Sequence, residues 1–347
     1  MEGGKAGECI MASAFAKWFS DNRRGRVIVC CLVLALIAAI LIANIGKIGA
    51  GIGEMGAYLG YKFIQRSLIV GLPVALCAAL LGVILVLKRY SMIGDGLSHV
   101  GFGALTIAVS LGTITAEALP TFLSEGARQS IANLCAHMSD SPLGFTLIVV
   151  VICAILLLRV SSGGARGDSA IALISTSALA IGVIVANRTA GMNIDVTNYM
   201  FGSILAIGKA DMILSLALSA AVLLLFIMFY PRIFAVTFDE NFARATGANA
   251  GLYNMLVAVL TAVTIVVGMR LMGTMLISSL IIFPALTSMR VFSRFRAVVI
   301  LSAIVSVVCF FVGLMLSCVL SLPAGAGIVI VNLGVYAIFS PVGEIRK

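Results

Sequence analysis

Long apolar runs separated by short polar connections recur along the whole chain. The first extends from Val27 to Ile45, and nine more cover about residues 67–87, 97–113, 143–158, 169–187, 212–230, 252–269, 271–289, 298–318 and 324–340. Runs of this length with few charges are typical of transmembrane helices, which need about 20 apolar residues to cross a bilayer. The pattern predicts an all-α polytopic bundle with about nine core spans and one extra N-terminal span.

The composition agrees with a membrane protein. Hydrophobic residues make up 61% of the 347 residues and charged residues 11%. The mean hydropathy is +1.17. The net charge of +9 is divided among short clusters rather than a basic stripe with interleaved aromatics, which argues against nucleic acid as a partner. The eight cysteines show no C-x-x-C spacing, so neither a disulfide framework nor a cysteine metal cluster is expected.

The positions of Lys and Arg predict the orientation. With the N-terminus in the cytoplasm, ten spans place five basic clusters on the cytoplasmic side, as the positive-inside rule requires. These clusters are Lys88/Arg89, Arg159/Arg166, Arg232/Arg244, Arg290/Arg294/Arg296 and Arg346/Lys347. The assignment requires the two runs that meet at Arg270 to be separate helices. We therefore expect a multi-pass protein of a bacterial-type cell membrane, with lipid around it and both termini in the cytoplasm.

The first 60 residues differ from the rest of the chain. Residues 1–26 are polar and precede the first apolar run, which predicts an uncleaved signal-anchor helix more readily than a signal peptide, because no small-residue cleavage site follows. Residues 46–65 are rich in glycine and are expected to form a loop or interfacial segment.

Asp95 and His99 are two ionisable residues within one apolar stretch. Their i, i+4 spacing places both side chains on one helix face, with their Cβ atoms about 6 Å apart. A carboxylate oxygen and an imidazole nitrogen suit zinc or manganese without separating the two metals. Two ligands do not complete a tetrahedral site, but a homodimer would supply two more by symmetry. Spacing alone equally allows a helix-capping Asp and a His bonded to a carbonyl.

Two other segments are candidate functional elements. In the longest predicted cytoplasmic connection, Phe238–Ala245 is expected to form a short amphipathic helix that ends at Gly247 and docks a partner or merely faces solvent. A second candidate lies in an outer connection whose sequence is about half apolar. It is expected to form either an outer gate that lines a cavity or an interfacial loop. Its residues are Asp195, Asn198, Tyr199 and Phe201. His137 and Asp140 are expected to form a solvated pair without metal.

No G-x-x-x-x-G-K-[ST] phosphate-binding loop occurs in the sequence. If the protein moves cargo by ATP hydrolysis, a separate subunit must therefore hydrolyse the ATP, and the chain itself is not expected to be an enzyme.

From Tyr61 to Lys347 the chain resembles the permease subunits of ABC importers for divalent transition metals, the ABC-3 family. The resemblance rests on segments in family order, among them GDSAIALISTSALAIGVIVAN, NYMFGSILAI and LPAGAGIVIVNL. It implies a type II importer permease in residues 61–347, preceded by an N-terminal segment, a further helix and a short outer loop in residues 1–60. One difference is Ser203, where family members often have an acidic residue.

The resemblance also implies residue roles and partners. Asp95 and His99 correspond to the intramembrane metal pair, and no cofactor is expected to be bound permanently. The cargo would be Zn(II), Mn(II) or Fe(II). The implied partners are a cytoplasmic ATPase dimer, an extracytoplasmic metal-binding protein and a second permease copy. The implied ATPase-coupling residues are Phe238, Asp239, Glu240, Ala243, Arg244 and Gly247.

Two other functions compete with this interpretation. Gly94-Asp95 within a span suggests an intramembrane aspartyl protease, but Asp168, Asp195 and Asp211 all lie near span ends and make poor partners for a catalytic dyad. A metal channel or secondary transporter acting alone is the other alternative, and it predicts metal flux without any ATPase.

Overall fold

The computed structural model describes residues 55–90, 92–111, 142–161, 165–188, 209–247 and 249–345, together with a few isolated positions: 34, 35, 37–39, 129, 130, 133 and 202. All regular structure in these residues is helical, as the sequence predicted. The helices are α1 (Met55–Gly60), α2 (Lys62–Leu87), α3 (Ile93–Leu111), α4 (Pro142–Ser161), α5 (Ala165–Arg188), α6 (Lys209–Phe238), α7 (Glu240–Ala245), α8 (Ala250–Met272), α9 (Thr274–Val291), α10 (Phe295–Leu320) and α11 (Ala324–Ile345).

Helices α2 and α8 form the centre of the bundle. They are the most deeply buried of the long apolar helices, and α2 packs against α6, α8, α9 and α10. Serine side chains reinforce this packing, since Ser306 Oγ of α10 donates to the Ala75 carbonyl of α2 at 2.9 Å. Hydrogen bonds from hydroxyl groups help to hold membrane helices together, because the hydrophobic effect does not drive their association within lipid.

Helix α3 lies against α5, α4, α8 and α9. Its glycines let the neighbouring helices approach closely. A Cβ on Gly103 would lie 2.8 Å from the Ala178 carbonyl oxygen of α5, and a Cβ on Gly94 would lie 3.1 Å from Ile281 of α9. The position of α3 is therefore fixed by contacts on several sides.

The two apolar runs that the sequence placed around Arg270 are separate helices. The break falls at Gly273, three residues after the predicted hinge, where φ is +89°. Only glycine adopts such a conformation without strain. A Cβ on Gly268 of α8 would lie 2.4 Å from Ile277 of α9, so the helices fold back on each other beside the break.

Basic residues lie together at one end of the bundle, which we call the basic end. Lys88, Arg159 and Arg244 line a common cavity there. Phe295, which follows Arg294, packs its ring against Phe234 and Phe238. The side chains of Arg166, Arg346 and Lys347 are not among those described.

Seven of the described helices are long and apolar enough to cross a membrane: α2, α5, α6, α8, α9, α10 and α11. Helix α4 contains a shorter apolar stretch, Gly144–Leu157, and α3 is not among the seven. Asp95, His99 and the glycines of α3 reduce its hydropathy. The predicted count of ten spans is therefore not confirmed, although the all-helical membrane architecture is.

Several predicted boundaries need correction. Residues 46–65 were expected to form a loop or interfacial segment, and in the described part of this stretch α1 occupies Met55–Gly60 and α2 begins at Lys62. Helix α6 continues to Phe238, beyond the predicted end at residue 230 and past Pro231. The short helix predicted from Phe238 begins instead at Glu240. The ends of the helices were predicted from the ends of the apolar runs and from nearby Gly and Pro residues. These signals do not show where a helix continues beyond its apolar run, as α6 does past Pro231.

Candidate functional site

A tight turn at the basic end leads from α2 into α3. The backbone N–H of Tyr90 donates to the Leu85 carbonyl at 2.7 Å, and that of Arg89 donates to Val86 at 3.1 Å. This is the Schellman pattern of helix ends, and Arg89 occupies its left-handed position with φ of +61°. Glycine is usual there, so Arg89 carries backbone strain of about 1 kcal/mol. Helix α3 then begins at Ile93.

Asp95 and His99 follow in the first two turns of α3. Asp95 Oδ2 lies 3.7 Å from His99 Nε2, with both side chains on one face as the spacing predicted. The Asp95 side chain is 53% exposed in the single chain and that of His99 is 15% exposed. Both lie near the start of α3, towards the basic end.

Two features of the pair differ from a helix-capping Asp and a carbonyl-bonded His. Asp95 is the third residue of α3 rather than the residue that caps it. His99 Nδ1 is buried, and within the part of the chain that the structure describes it has no hydrogen-bond partner. A buried polar atom without a partner costs free energy unless a ligand or water satisfies it. A His bonded to a neighbouring carbonyl, the structural alternative, does not account for this nitrogen.

One chain does not complete a metal site from the described side chains. Among them, no group of three or more His, Cys, Asp and Glu residues is close enough to hold a metal ion. Asp95 and His99 together offer one hard oxygen and one imidazole nitrogen, so further ligands must come from a second copy, from water or from elsewhere.

Helix α7 is a short, well-capped element at the same end. The Asp239 side chain accepts a hydrogen bond from the Phe242 N–H at 2.9 Å, which satisfies the helix start. Glu240 and Arg244 form an i, i+4 ion pair at 2.6 Å. Ala243 is buried, whereas Phe238 and Phe242 are exposed. Gly247 follows the helix with φ of +84°. An anchored helix with exposed aromatic rings suits docking of another subunit.

Hydrogen bonds connect α7 to the turn before α3. Lys88 Nζ donates to Asn254 Oδ1, and Asn254 Nδ2 donates to Glu240 Oε2 at 3.3 Å. Burial lowers the pKa of Lys88, while the nearby Glu240 carboxylate acts in the opposite direction. Burial and Glu240 together raise the pKa of Tyr90.

These residues surround an open cavity of about 750 Å³. Its wall contains side chains from the α2–α3 turn and from α4, α6, α7 and α8, among them Lys88, Arg159, Glu240 and Asn254. The cavity thus lies where the candidate docking helix meets the turn that precedes the candidate metal pair.

The sequence model of the ABC 3 transport family matches residues 60–342. The chain belongs to the ABC 3 transport family. Because the match covers most of the chain, the family assignment extends over every described helix from α2 to α10.

Curated relatives are similar over nearly the same length. The chain is 26% identical over 287 residues to the manganese transport system membrane protein MntC of Halalkalibacterium halodurans, covering 82% of this chain and 89% of the relative. It is 26% identical over 271 residues to the high-affinity zinc uptake system membrane protein ZnuB of Haemophilus influenzae, covering 78% of this chain and 94% of that one. The relatives bear the names of membrane components of transport systems rather than of enzymes.

Solved structures share the fold. A chain of PsaBC from Streptococcus pneumoniae in complex with Fab superposes with a TM-score of 0.66 at 24% identity, covering 86% of this chain and 100% of that chain. An inward-facing conformation of a putative metal-chelate type ABC transporter superposes with a TM-score of 0.61 at 14% identity, covering 90% of this chain and 97% of that chain. The chain therefore shares the overall fold of these two structures.

The candidate outer-gate residues lie outside the described part of the chain. These are Asp195, Asn198, Tyr199 and Phe201, and His137 and Asp140 lie outside it too. The roles assigned to them stay predictions.

The sequence did not reveal the connection through Asn254. The sequence predicted no role for Asn254, and Lys88 was used only as part of a basic cluster that predicts orientation. A polar side chain in the first turns of an otherwise apolar helix was the available signal. Its partners are 14 and 166 residues away in sequence, so spacing rules did not indicate them.

Proposed function

We propose that this chain is the membrane-spanning permease subunit of an ATP-driven importer for a divalent transition metal, with zinc and manganese as the preferred cargo and Fe(II) as a further candidate. The observation that carries the proposal is the Asp95–His99 pair on α3, with its buried, unpartnered His99 Nδ1, in a chain of the ABC 3 transport family. The named activities of the manganese and zinc relatives support the cargo class.

In this proposal the chain acts as a homodimer. Two copies of Asp95 and His99 would meet near the two-fold axis and give the four ligands that one chain lacks. The exposure of Asp95 in the single chain, 53%, leaves its carboxylate accessible to a second copy or to the cargo. Oxygen and imidazole ligands bind these metals reversibly, as a transit site requires.

Movement would come from a separate ATPase dimer that docks on α7. Phe238 and Phe242 offer apolar contacts, and Asp239, Glu240, Ala243, Arg244 and Gly247 hold the helix in place. ATP binding would close the ATPases and move the helices that carry Asp95 and His99, so that the pair opens alternately to each side. An extracytoplasmic binding protein would deliver the metal past Asp195, Asn198, Tyr199 and Phe201. Both termini of the chain would lie in the cytoplasm of a bacterial-type cell, beside its inner membrane.

Reconstitution tests this function. The chain is incorporated into liposomes with its cognate ATPase and metal-binding protein, and accumulation of radioactive Zn(II) or Mn(II) is followed. We expect accumulation only when ATP and the ATPase are both present. Equal flux without the ATPase would instead indicate a transporter that acts alone. Cleavage of a transmembrane reporter by the purified chain without ATP would indicate a protease.

A further inference from the structure

Asn254 lies between two charged side chains that come from distant parts of the chain. Its Oδ1 accepts from the Lys88 ammonium, and its Nδ2 donates to Glu240 Oε2 at 3.3 Å. The other carboxylate oxygen of Glu240 accepts from Arg244 at 2.6 Å. An unbroken series of hydrogen bonds therefore runs from the end of α2, through the first turns of α8, to α7.

The chemistry of this series requires at its centre a side chain that both accepts and donates hydrogen bonds, as an amide does. An ammonium group only donates hydrogen bonds and a carboxylate only accepts them. An amide accepts at its oxygen and donates at its nitrogen, so it satisfies both neighbours in a single orientation. A carboxylate at position 254 would still serve Lys88 but would have no donor for Glu240, and an aliphatic side chain would serve neither.

At one end of this series of hydrogen bonds, Lys88 is connected through the chain to the candidate metal pair. Residues 88–92 are the whole connection between α2 and α3. The Schellman bonds of Arg89 and Tyr90 hold this turn to α2, and the Ile93 N–H donates to the Tyr90 carbonyl at 3.0 Å. A displacement of Lys88 therefore reaches Asp95 through a short, hydrogen-bonded segment.

The Glu240 end is fixed to the candidate docking helix. Glu240 is the first residue of α7, beside the capping Asp239. Buried Ala243 packs with Val236 of α6 and Ala250 of α8, while Phe238 and Phe242 stay exposed. A force applied to the exposed rings therefore acts on a helix that is joined to Asn254.

We propose that Asn254 is a positioning residue that connects α7 mechanically to the α2–α3 turn, so that displacement of α7 by a partner ATPase is transmitted to Asp95 and His99. This inference rests on the proposed function. It adds a specific link between two sites that the sequence treated separately, and it assigns Lys88 a role beyond orientation.

The test measures metal transported per ATP hydrolysed in liposomes that contain the full complex. Asn254→Leu keeps the branched shape and the number of side-chain heavy atoms and removes both hydrogen bonds. We expect this ratio to fall roughly fivefold or more, the lower end of coupling factors between protein sites, while the amount of bound ATPase is unchanged. Asn254→Asp, which keeps an acceptor for Lys88, is expected to uncouple as well, because it lacks the donor for Glu240.

Two further variants make the test specific. Asn187→Leu makes the same chemical change at an exposed position of α5, and we expect the ratio to stay at the parental value. Lys88→Met combined with Asn254→Leu should lose no more coupling than Asn254→Leu alone. The single substitution at Asn254 already removes the hydrogen bond to Lys88, so the two effects are not additive.

Each outcome separates this inference from the proposed function. Parental liposomes without ATP-driven uptake would overturn both. Parental uptake with an unchanged transport ratio in Asn254→Leu and Asn254→Asp would overturn the role of Asn254 alone. Loss of the ATPase from these variants would mean that Asn254 shapes the docking surface, which also contradicts a transmitting role.

Discussion

The carbonyl oxygen of Ile281 lies 2.0 Å from the position that a Cβ atom on Gly82 would occupy. Helices α2 and α9 therefore pack with their backbones in contact. The Ile281 side chain also lies close to Gly94 of α3, where an added Cβ would be 3.1 Å from it, so the same residue restrains α3 relative to the central helix. Small residues permit such contacts between membrane helices, whose association relies on van der Waals packing.

Gly82→Ala is expected to destabilise the bundle by about 2 kcal/mol, because the new methyl group meets a backbone carbonyl that no rotamer change can move. Thermal unfolding of the purified chain measures the loss. Gly144→Ala is the matched control: a Cβ on Gly144 would have no atom within 4 Å. Because Gly144 lies in the first turn of α4, this substitution should raise stability by less than about 0.5 kcal/mol. Equal melting temperatures for the two variants would contradict the close crossing.

The helical architecture could be predicted because it depends on local patterns. Long apolar runs specify helices in lipid whatever their partners are. The i, i+4 spacing of Asp95 and His99 fixes their shared face once α3 is helical. Partners remote in sequence could not be predicted in this way. Asn254 accepts a hydrogen bond from Lys88, which is 166 residues away in sequence. The turn at Arg89 has a left-handed backbone but contains no glycine from which that conformation could be predicted.

Boundaries failed for a related reason. Apolar patterning ends where lipid ends, but α6 continues to Phe238 because its last turns pack against Phe295 rather than lipid. The reversal at Gly273 depends on a φ of +89°, which nearby Arg270 does not indicate.

Gly247→Ala is expected to weaken attachment of the partner ATPase. The space around Gly247 is open, with no atom within 4 Å of the position that a Cβ would take, so the cost comes only from its φ of +84°. Asn tolerates left-handed backbone better than Ala, so Gly247→Asn should retain more of the attachment. Co-purification of the ATPase with each variant measures the effect. A greater loss in Gly247→Asn than in Gly247→Ala would show that side-chain size at this position, rather than backbone conformation, controls docking.

Glu240→Gln should lower the pKa of Lys88 further. Burial already lowers this pKa, and the Glu240 carboxylate opposes that effect by stabilising the ammonium. With Gln at position 240, the neutral amine should form at lower pH, so acylation of Lys88 at a fixed pH below 10.5 should be faster. Mass spectrometry of the labelled peptide follows this rate.

The control for this titration is Asp239→Asn, which removes a neighbouring charge but retains a good helix cap. It should leave the labelling rate of Lys88 close to the parental rate. If both substitutions accelerate labelling equally, the general charge of α7, rather than Glu240 itself, acts on Lys88.

The most direct test of the central claim is ATP-driven Zn(II) and Mn(II) uptake by Asp95→Asn and His99→Ala in the reconstituted complex. Thr106→Val, which removes a buried hydroxyl from the same helix, is the control. We expect both site variants to retain the bound ATPase and to lose more than about tenfold in uptake, since even the outer-shell partners of metal ligands are worth 10–100-fold. Thr106→Val should transport at close to the parental rate. Parental uptake in both Asp95→Asn and His99→Ala would contradict the assignment of this pair as the metal transit site.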